Sequence, residues 1–218
     1  MPSFKVRKSI HSNPGPIVIG VRSGVNTLET AFCAVEWHDR VAFLRMISDD
    51  GTNRLSMARV QAMTNAVGEL ALQQTSKLVI TGNPRFFSAG ADLHEIAALT
   101  GPEALVFALK GQALMNAVAS FPVPTVAAIH GYCMGGGLDL ALACERRIAG
   151  PHAIFGHRGA ALGLITGWGG TQRLPRIVGK ARALEMFIAA EKLNAKRALE
   201  FGLIEAVVQD PLRVAISD

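Results

Sequence analysis

The stretch Pro122–Cys144, PVPTVAAIHGYCMGGGLDLALAC, decides how the chain is read. Val123 to Ile129 is a short apolar run with β-branched residues, set between prolines and a glycine, and predicts a buried strand. Gly135, Gly136 and Gly137 follow. Glycines in a row lose much conformational freedom on folding, so they mark close backbone approach or dihedrals that other residues avoid. Leu138 to Cys144 (LDLALAC) predicts a helix whose first turn contains the last glycines. A helix N-terminus offers unpaired N–H groups and partial positive charge, which suits an anion or oxyanion. Asp139 sits three positions beyond Gly136, and helical side chains lean toward the N-terminus, so its carboxylate is aimed at the same spot. On this stretch alone two readings stand side by side. One is a site where donor and base converge; the other is tight packing, with Asp139 only a charge favoured by the helix dipole.

The rest of the composition bounds the chain. Of the 218 residues 50% are hydrophobic, enough for one substantial core in one domain. No apolar run approaches the ~18 residues of a membrane span. Cys33, Cys133 and Cys144 are scattered in apolar settings without C-x-x-C spacing and read as reduced core residues of an intracellular protein, with no metal site and no disulfide framework. The net charge of +5 points to anionic partners in general. Part of it is local: residues 1–28 carry Lys5, Arg7, Lys8 and Arg22 with no acidic residue, and read as a basic, mobile or loosely docked arm. An organellar transit peptide is the alternative to a cytoplasmic location, although Pro14-Gly15-Pro16 interrupts the amphipathic helix such a peptide needs. Residues 29–208 then form the domain and 209–218 a short tail.

Along the chain, AFCAVEW and RVAFLRMI predict a hairpin turning at His38-Asp39. Asp49 to Asn53 is turn chemistry, and Ser56 caps a helix reaching about Gln74, because Met57, Val60, Met63, Val67 and Leu70 share helical spacing. A strand at Leu78–Thr81 precedes the segment Arg85–Leu93, then helices are expected over Leu93–Leu99 and Pro102–Ser120. Short strands follow at Arg147–Ala149 and Ala153–Phe155, and a glycine-dense loop at His157–Gln172. The last elements are helices ending near Gly179, at Lys180–Ala190 and at Asn194–Phe201, and a strand at Leu203–Val208. Alternating strands and helices give an α/β architecture, with no repeat of fixed period in the sequence.

Three motifs stand in order: FFSAGADL (Phe86–Leu93), HGYCMGGGLDLALAC (His130–Cys144) and GLITGWGGTQRLPRIVG (Gly163–Gly179). Together, over roughly Val35 to Val208, they resemble the crotonase superfamily, the enoyl-CoA hydratases and isomerases. The resemblance implies a spiral of ββα units, assembly as homotrimers or dimers of trimers, and action on acyl-CoA thioesters. Coenzyme A enters as part of the substrate, with no metal, no redox cofactor and no permanently bound cofactor. Two backbone N–H groups hold the thioester oxygen in that family; by motif they fall at Ala91 and Gly136, with Asp139 as base or water-positioning group. The resemblance also puts Ala89, Asp92, Leu93, His94, Tyr132 and Gly159 beside the CoA thioester. Arg54 is a phosphate contact by charge and position only, and reads equally as a solvated arginine.

The chain departs from the family pattern in two places. Hydratases of the family use two glutamates; here the first position holds Asp139 and the second Gly159, within FGHRG. Losing an acid–base group commonly lowers turnover about 10²- to 10⁴-fold. Four explanations are open. Asp139 acts alone or with His157, His130 or an ordered water. Dienoyl-CoA isomerase chemistry has aspartate at the first position, yet its further carboxylates fall here at Gly159 and Gly167. Dehalogenase chemistry would need its nucleophilic aspartate at Gly167. Dihydroxynaphthoyl-CoA synthases have glycine at the second position, where bicarbonate substitutes and Arg158 suits an anion, but their further aspartate corresponds to Thr166. Trp168 reads as packing, and each histidine reads equally as a structural hydrogen-bonding residue. Family members also run on for several tens of residues past the strand matching Leu203–Val208, so a short or missing C-terminal helical region is expected. The rivals to an enzyme are a non-catalytic acyl-CoA-binding or assembly subunit and an RNA-binding protein; the latter has no sequence signature.

Overall fold

The computed structural model describes residues 18–22 and 25–217. It begins with strands β1 (Val18–Arg22), β2 (Val25–Glu29), β3 (Cys33–His38) and β4 (Val41–Met46), followed by helix α1 (Met57–Ala71). Then come β5 (Lys77–Thr81), β6 (Phe86–Ser88), α2 (Leu93–Ala98), α3 (Gly101–Ala119), β7 (Thr125–Ile129), β8 (Tyr132–Met134) and α4 (Gly136–Ala143). The remainder is β9 (Arg146–Ala149), β10 (Ile154–Gly156), a 3-10 turn at Ala160–Leu162, α5 (Gly170–Val178), α6 (Lys180–Ala189), β11 (Leu193–Asn194), α7 (Ala195–Glu200), β12 (Ala206–Val207) and α8 (Pro211–Ser217).

The strands fall into two sheets, one ordered β1-β2-β3-β4-β5-β7-β9-β12 and a smaller one ordered β11-β10-β8-β6. After the antiparallel β3–β4 hairpin, β4, β5, β7 and β9 run parallel, as do β6, β8 and β10. The chain therefore repeats one move: a strand in the large sheet, a strand in the small sheet, then helix. β5-β6-α2-α3, β7-β8-α4 and β9-β10-α5 are three such turns. This is the ββα spiral of the crotonase fold. Its repeat is geometric, carried by strands of three to five residues, and so leaves no fixed period in the sequence.

Helix α1 forms as its spacing predicts: Ser56 accepts from Arg59 N and Val60, Met63, Val67 and Leu70 are buried, but it stops at Ala71 rather than Gln74. Thr100 and Glu103 close a capping box at the start of α3. The main core lies between the helices and one face of the large sheet, around Leu44, Leu70, Ile80, Leu114, Phe155 and Leu174. The opposite face gathers Val41, Phe43, Val79, Val126, Ala128 and Ile148 under Ala215 of α8, with Leu212, Val214 and Ile216 packed alongside.

Two expectations change. The glycine triplet does not follow the strand through Ile129 directly. β8 intervenes in the other sheet, so the backbone crosses between sheets at Gly131 before it reaches Gly135. At the ends, β1 and β2 pair as a hairpin and β2 adds to β3, so part of the expected basic arm extends the large sheet; residues 1–17, 23 and 24 lie outside the described residues. Likewise most of the expected tail is helix α8, whose apolar side covers the sheet. Among the described residues no helix is long and apolar enough to cross a membrane.

Candidate active site

Three successive turns of the spiral open onto one cleft of about 530 Å³. The loop after β6 supplies its first wall. Segment 52–55 pins this loop: Ala89 N donates to Thr52 O (2.9 Å), Ser88 Oγ donates to Asn53 O (2.7 Å) and Leu55 N donates to Gly90 O (2.8 Å). Asn53 is fully buried, adopts φ of 50°, and donates from Nδ2 to the carbonyls of Phe86 and Phe87. Asp92 N also reaches Leu55 O (3.4 Å), so Leu55 holds the residues on both sides of Ala91 and leaves the Ala91 N–H out of the ladder.

The second wall starts at the glycine triplet. Gly135 has φ 51° and ψ −121°, a backbone region that L side chains avoid, and it turns the chain from β8 into α4. Gly90, at φ 96°, faces it so closely that an added Cβ would lie 2.7 Å from Met134 O. The two loops are thus in backbone contact, and a Cβ placed on Gly136 would come within 3.3 Å of Ala91 N. Among the described residues no acceptor meets the N–H of Ala91 or of Gly136, and both residues line the cleft. For Gly136 this is the ordinary fate of the first N–H of a helix.

Asp139 stands one turn into α4 at 1% exposure. Thr166 Oγ1 donates a short hydrogen bond to its Oδ2. His157 Nε2 lies 3.2 Å from Oδ1, but the two atoms are not aligned as a hydrogen bond, and neither has another partner. His157 follows β10 directly. The parallel pairing of Gly156 with Met134, and the hydrogen bond from Gly135 N to Gly156 O (2.9 Å), bring it beside the start of α4. Gly170, the first residue of α5, closes the back: a Cβ there would lie 2.1 Å from Asp139 Oδ1. Farther along α5, burial pulls the Arg173 guanidinium below its usual value while the Asp139 charge opposes that shift. Asp139 is the only carboxylate among the described residues that line the cleft.

Trp168, 3% exposed, closes one end. It stacks on Phe107 with centroids 5.1 Å apart, and its Nε1 donates to Phe107 O. The wall beyond is apolar, with Ile96, Leu99, Leu164 and Ile165. At another part of the lining the Tyr132 ring lies against Phe86 (5.3 Å) and beneath the Lys192 ammonium (5.4 Å), with Arg158 also bordering the cleft.

Of the residues singled out from the sequence, Ala89, Ala91, Leu93, Tyr132, Gly136, Asp139 and Gly159 line this cleft. Asp92 and His94 are not in its lining; the Asp92 side chain instead caps α2, accepting from His94 N (2.9 Å). Arg54 is also outside it, its side chain half exposed and paired with Asp50 at 3.3 Å, as the solvated-arginine reading has it, while Lys192 and Arg158 are the cations that line the cleft. His130 lies away from the lining, where a Cβ on Gly150 would approach its Nδ1 at 3.0 Å, which leaves His157 as the histidine at Asp139. Gly159 packs too tightly for a side chain in this loop conformation, since its Cβ would lie 2.6 Å from Leu164 O. The three cysteines are free and buried; burial raises the Cys133 thiol well above its ordinary value and pushes Cys144 up to about 12, so neither is a nucleophile at neutral pH. Asn53 escaped sequence reading because it looked like ordinary turn chemistry, and Lys192 because nothing local links it to Tyr132.

A spiral of ββα turns with such a cleft defines a crotonase-fold protein. Residues 36–214 match the family model described as enoyl-CoA hydratase/isomerase, and the chain belongs to that family. A Bacillus subtilis (strain 168) protein named probable enoyl-CoA hydratase is 40% identical over 178 residues, which is 81% of this chain and 69% of the relative. Among solved structures, DspI of Pseudomonas aeruginosa aligns with TM-score 0.82 and 34% identity over 87% of this chain and 80% of its own. The enoyl-CoA hydratase of Bacillus anthracis aligns with TM-score 0.79 and 33% identity over 85% of this chain and 72% of its own.

Proposed function

We propose that this protein is an acyl-CoA thioester enzyme that stabilises a thioester enolate during hydration or double-bond shift of an enoyl-CoA. The observation that carries the proposal is the convergence of two unused backbone N–H groups, Ala91 and Gly136, with one buried carboxylate, Asp139, on a single apolar cleft. The N–H pair would receive the thioester oxygen. Donors aimed in advance at developing charge contribute on the order of 3 kcal/mol each to the transition state.

Both reactions balance with one carboxylate. In a double-bond shift, Asp139 takes a proton from the carbon between the thioester and the alkene. The C–H electron pair moves into a dienolate held at Ala91 and Gly136. The protonated Asp139 then returns the proton at the γ-carbon, and the thioester carbonyl re-forms with the alkene moved into conjugation. In hydration, Asp139 takes the proton of a water whose oxygen adds to the β-carbon. The alkene electrons pass to the thioester oxygen, and Asp139 gives the proton back at the α-carbon. Neither route consumes a redox cofactor or a metal. The apolar wall around Ile96, Leu99 and Leu164 suits the acyl chain, and Lys192 and Arg158 suit the CoA phosphates. Exposed Leu105, Val106 and Leu109 on α3 and Leu184 and Ile188 on α6 support assembly into a homotrimer or dimer of trimers, to be measured by sedimentation. We place the protein in the cytoplasm.

The test is turnover of crotonyl-CoA, a 3-enoyl-CoA and a 3,5-dienoyl-CoA by the wild type and by Asp139→Asn, with binding of a CoA ester measured by calorimetry. The expected result is turnover of at least one substrate and a loss of about 10⁴-fold in Asp139→Asn with binding retained. Near-normal turnover in the variant would remove Asp139 from the chemistry. The second reading, an acyl-CoA-binding subunit without turnover, is favoured by the absence of a second carboxylate from the lining, and binding with silence across the panel would establish it.

A further inference from the structure

We propose that His157 is the positioning residue of the acid–base site. In this account its Nε2–H orients the Asp139 carboxylate, which then handles the proton alone. The inference rests on the function proposed above and extends it to a residue that the motif resemblance does not supply.

The geometry is specific. Asp139 has one oxygen bonded by Thr166 and the other facing His157 Nε2 at 3.2 Å, and both His157 and Asp139 are buried, with side chains 5% and 1% exposed. Asp139 Oδ1 and His157 Nε2 are two of the few buried side-chain polar atoms without a hydrogen-bond partner among the described residues. Leaving a buried carboxylate oxygen and an imidazole nitrogen unpaired is expensive, so a small ring rotation that joins them is favoured over keeping them apart. Only Nε2 carrying a hydrogen satisfies an ionised Oδ1. The ring is also held in place: it packs tilted against Phe187 of α6 with centroids 5.2 Å apart, and its backbone follows the β8–β10 pairing. Gly170 keeps the space between the two groups clear, since a Cβ there would lie 2.1 Å from Oδ1 and 3.1 Å from Nε2.

The consequence is mechanistic. With Oδ2 held by Thr166 and Oδ1 by His157, the carboxylate cannot swing, and its remaining lone pairs are presented to the cleft in one orientation. His157 stays protonated at Nε2 throughout, exchanges nothing with substrate, and stabilises the carboxylate each time Asp139 gives its proton back. No co-reactant is needed. The Gly159 position contributes no group, because its loop is closed on the Leu164 carbonyl.

The test joins a measurement without substrate to one with it. Nitrogen-15 NMR of the imidazole rings in the free protein, with His157 assigned by its absence in His157→Gln, reports which ring nitrogen carries the hydrogen. The expected result at neutral pH is an Nε2–H ring with a downfield, slowly exchanging resonance; a ring protonated only at Nδ1 would overturn the proposal. In turnover, His157→Phe should lower kcat about 10²-fold with KM within a factor of two, and His157→Gln, whose amide N–H can reach the same oxygen, should recover most of that loss. Equal losses in both variants, or none in either, would overturn it. If the wild type turns over no thioester, the proposed function fails while the ring assignment still decides the pairing.

Discussion

Ala91 and Gly136 present main-chain N–H groups, whereas Asp139, His157 and Thr166 present side chains, and the two sides of the cleft are held by different means. The donor side is fixed mainly by backbone, through the Leu55 hydrogen bonds, the Gly90–Met134 contact and the sheet-to-helix turn at Gly135, with the Asn53 amide bracing the Phe86 carbonyl. Its geometry depends on glycines and on the buried Asn53 and Ser88 side chains. The acid–base side depends on three side chains from α4, the residue after β10 and the loop before α5. Substitution can therefore retune its chemistry while the donor side stays constant. Under the proposed function, a fold built this way would keep enolate stabilisation and vary what is done with the proton.

The comparison can be broken first at the donor side. Gly90→Val forces a β-branched side chain into φ 96° against the Met134 carbonyl and should displace the Ala91 N–H. Turnover should fall about 10²- to 10³-fold, as when an oxyanion donor is removed. An unchanged kcat would mean that Ala91 holds no developing charge. Next comes Gly159→Glu, which places a carboxylate at the position that the motif resemblance assigns to a hydratase glutamate. Because its Cβ would meet Leu164 O at 2.6 Å, the expected outcome is destabilisation by about 1–3 kcal/mol in a urea melt and no gain in hydration. A stable, faster hydratase would show that this loop opens and that the two sides are equally adaptable.

A smaller effect is expected at Thr166→Val, which keeps the shape and removes the donor to Asp139 Oδ2. Turnover should fall about tenfold, equivalent to the modest net worth of one hydrogen bond to a charged group. A loss as large as that of Asp139→Asn would make the hydroxyl a reacting group. The smallest effect concerns the core beneath the donor side. Burial raises the Cys133 and Cys144 thiols, the latter to about 12, whereas unfolded thiols ionise near ~8.5. Their contribution is fully present below ~8.5 and is lost as pH rises toward the folded values, because the unfolded chain then holds fewer protons. The urea midpoint should drift down from pH 8.5 to 10.5, less so in Cys144→Ala; identical drifts in both proteins would assign it to other groups.

Much of the donor side was legible in the residues. Consecutive glycines before a helix-forming run express a backbone requirement that only a few residue types meet, so local sequence reveals it, whereas Ala91 was indicated only by the motif resemblance. The hairpin and α1 were legible for the same reason, since their periodicity is local. Strand β8 was not, because three residues between Gly131 and Gly135 carry too little pattern, and neither was α8, whose apolar side has meaning only against the sheet. The sequence left two readings of Arg54 open because charge alone does not say which way a side chain turns; in the fold it pairs with Asp50 outside the cleft lining.

What the sequence by itself determined is the family, through its three motifs, and the identity of the carboxylate at the helix start, since these follow from neighbours within a few residues; the ββα order came only as an implication of that resemblance. What only the tertiary structure decided is who stands beside that carboxylate. Thr166 is 27 residues away from Asp139 along the chain, and Asn53 is 33 and 34 residues from the carbonyls it holds. Such meetings are fixed by strand register and helix packing across successive turns of the spiral, and no short-range pattern in the chain encodes them.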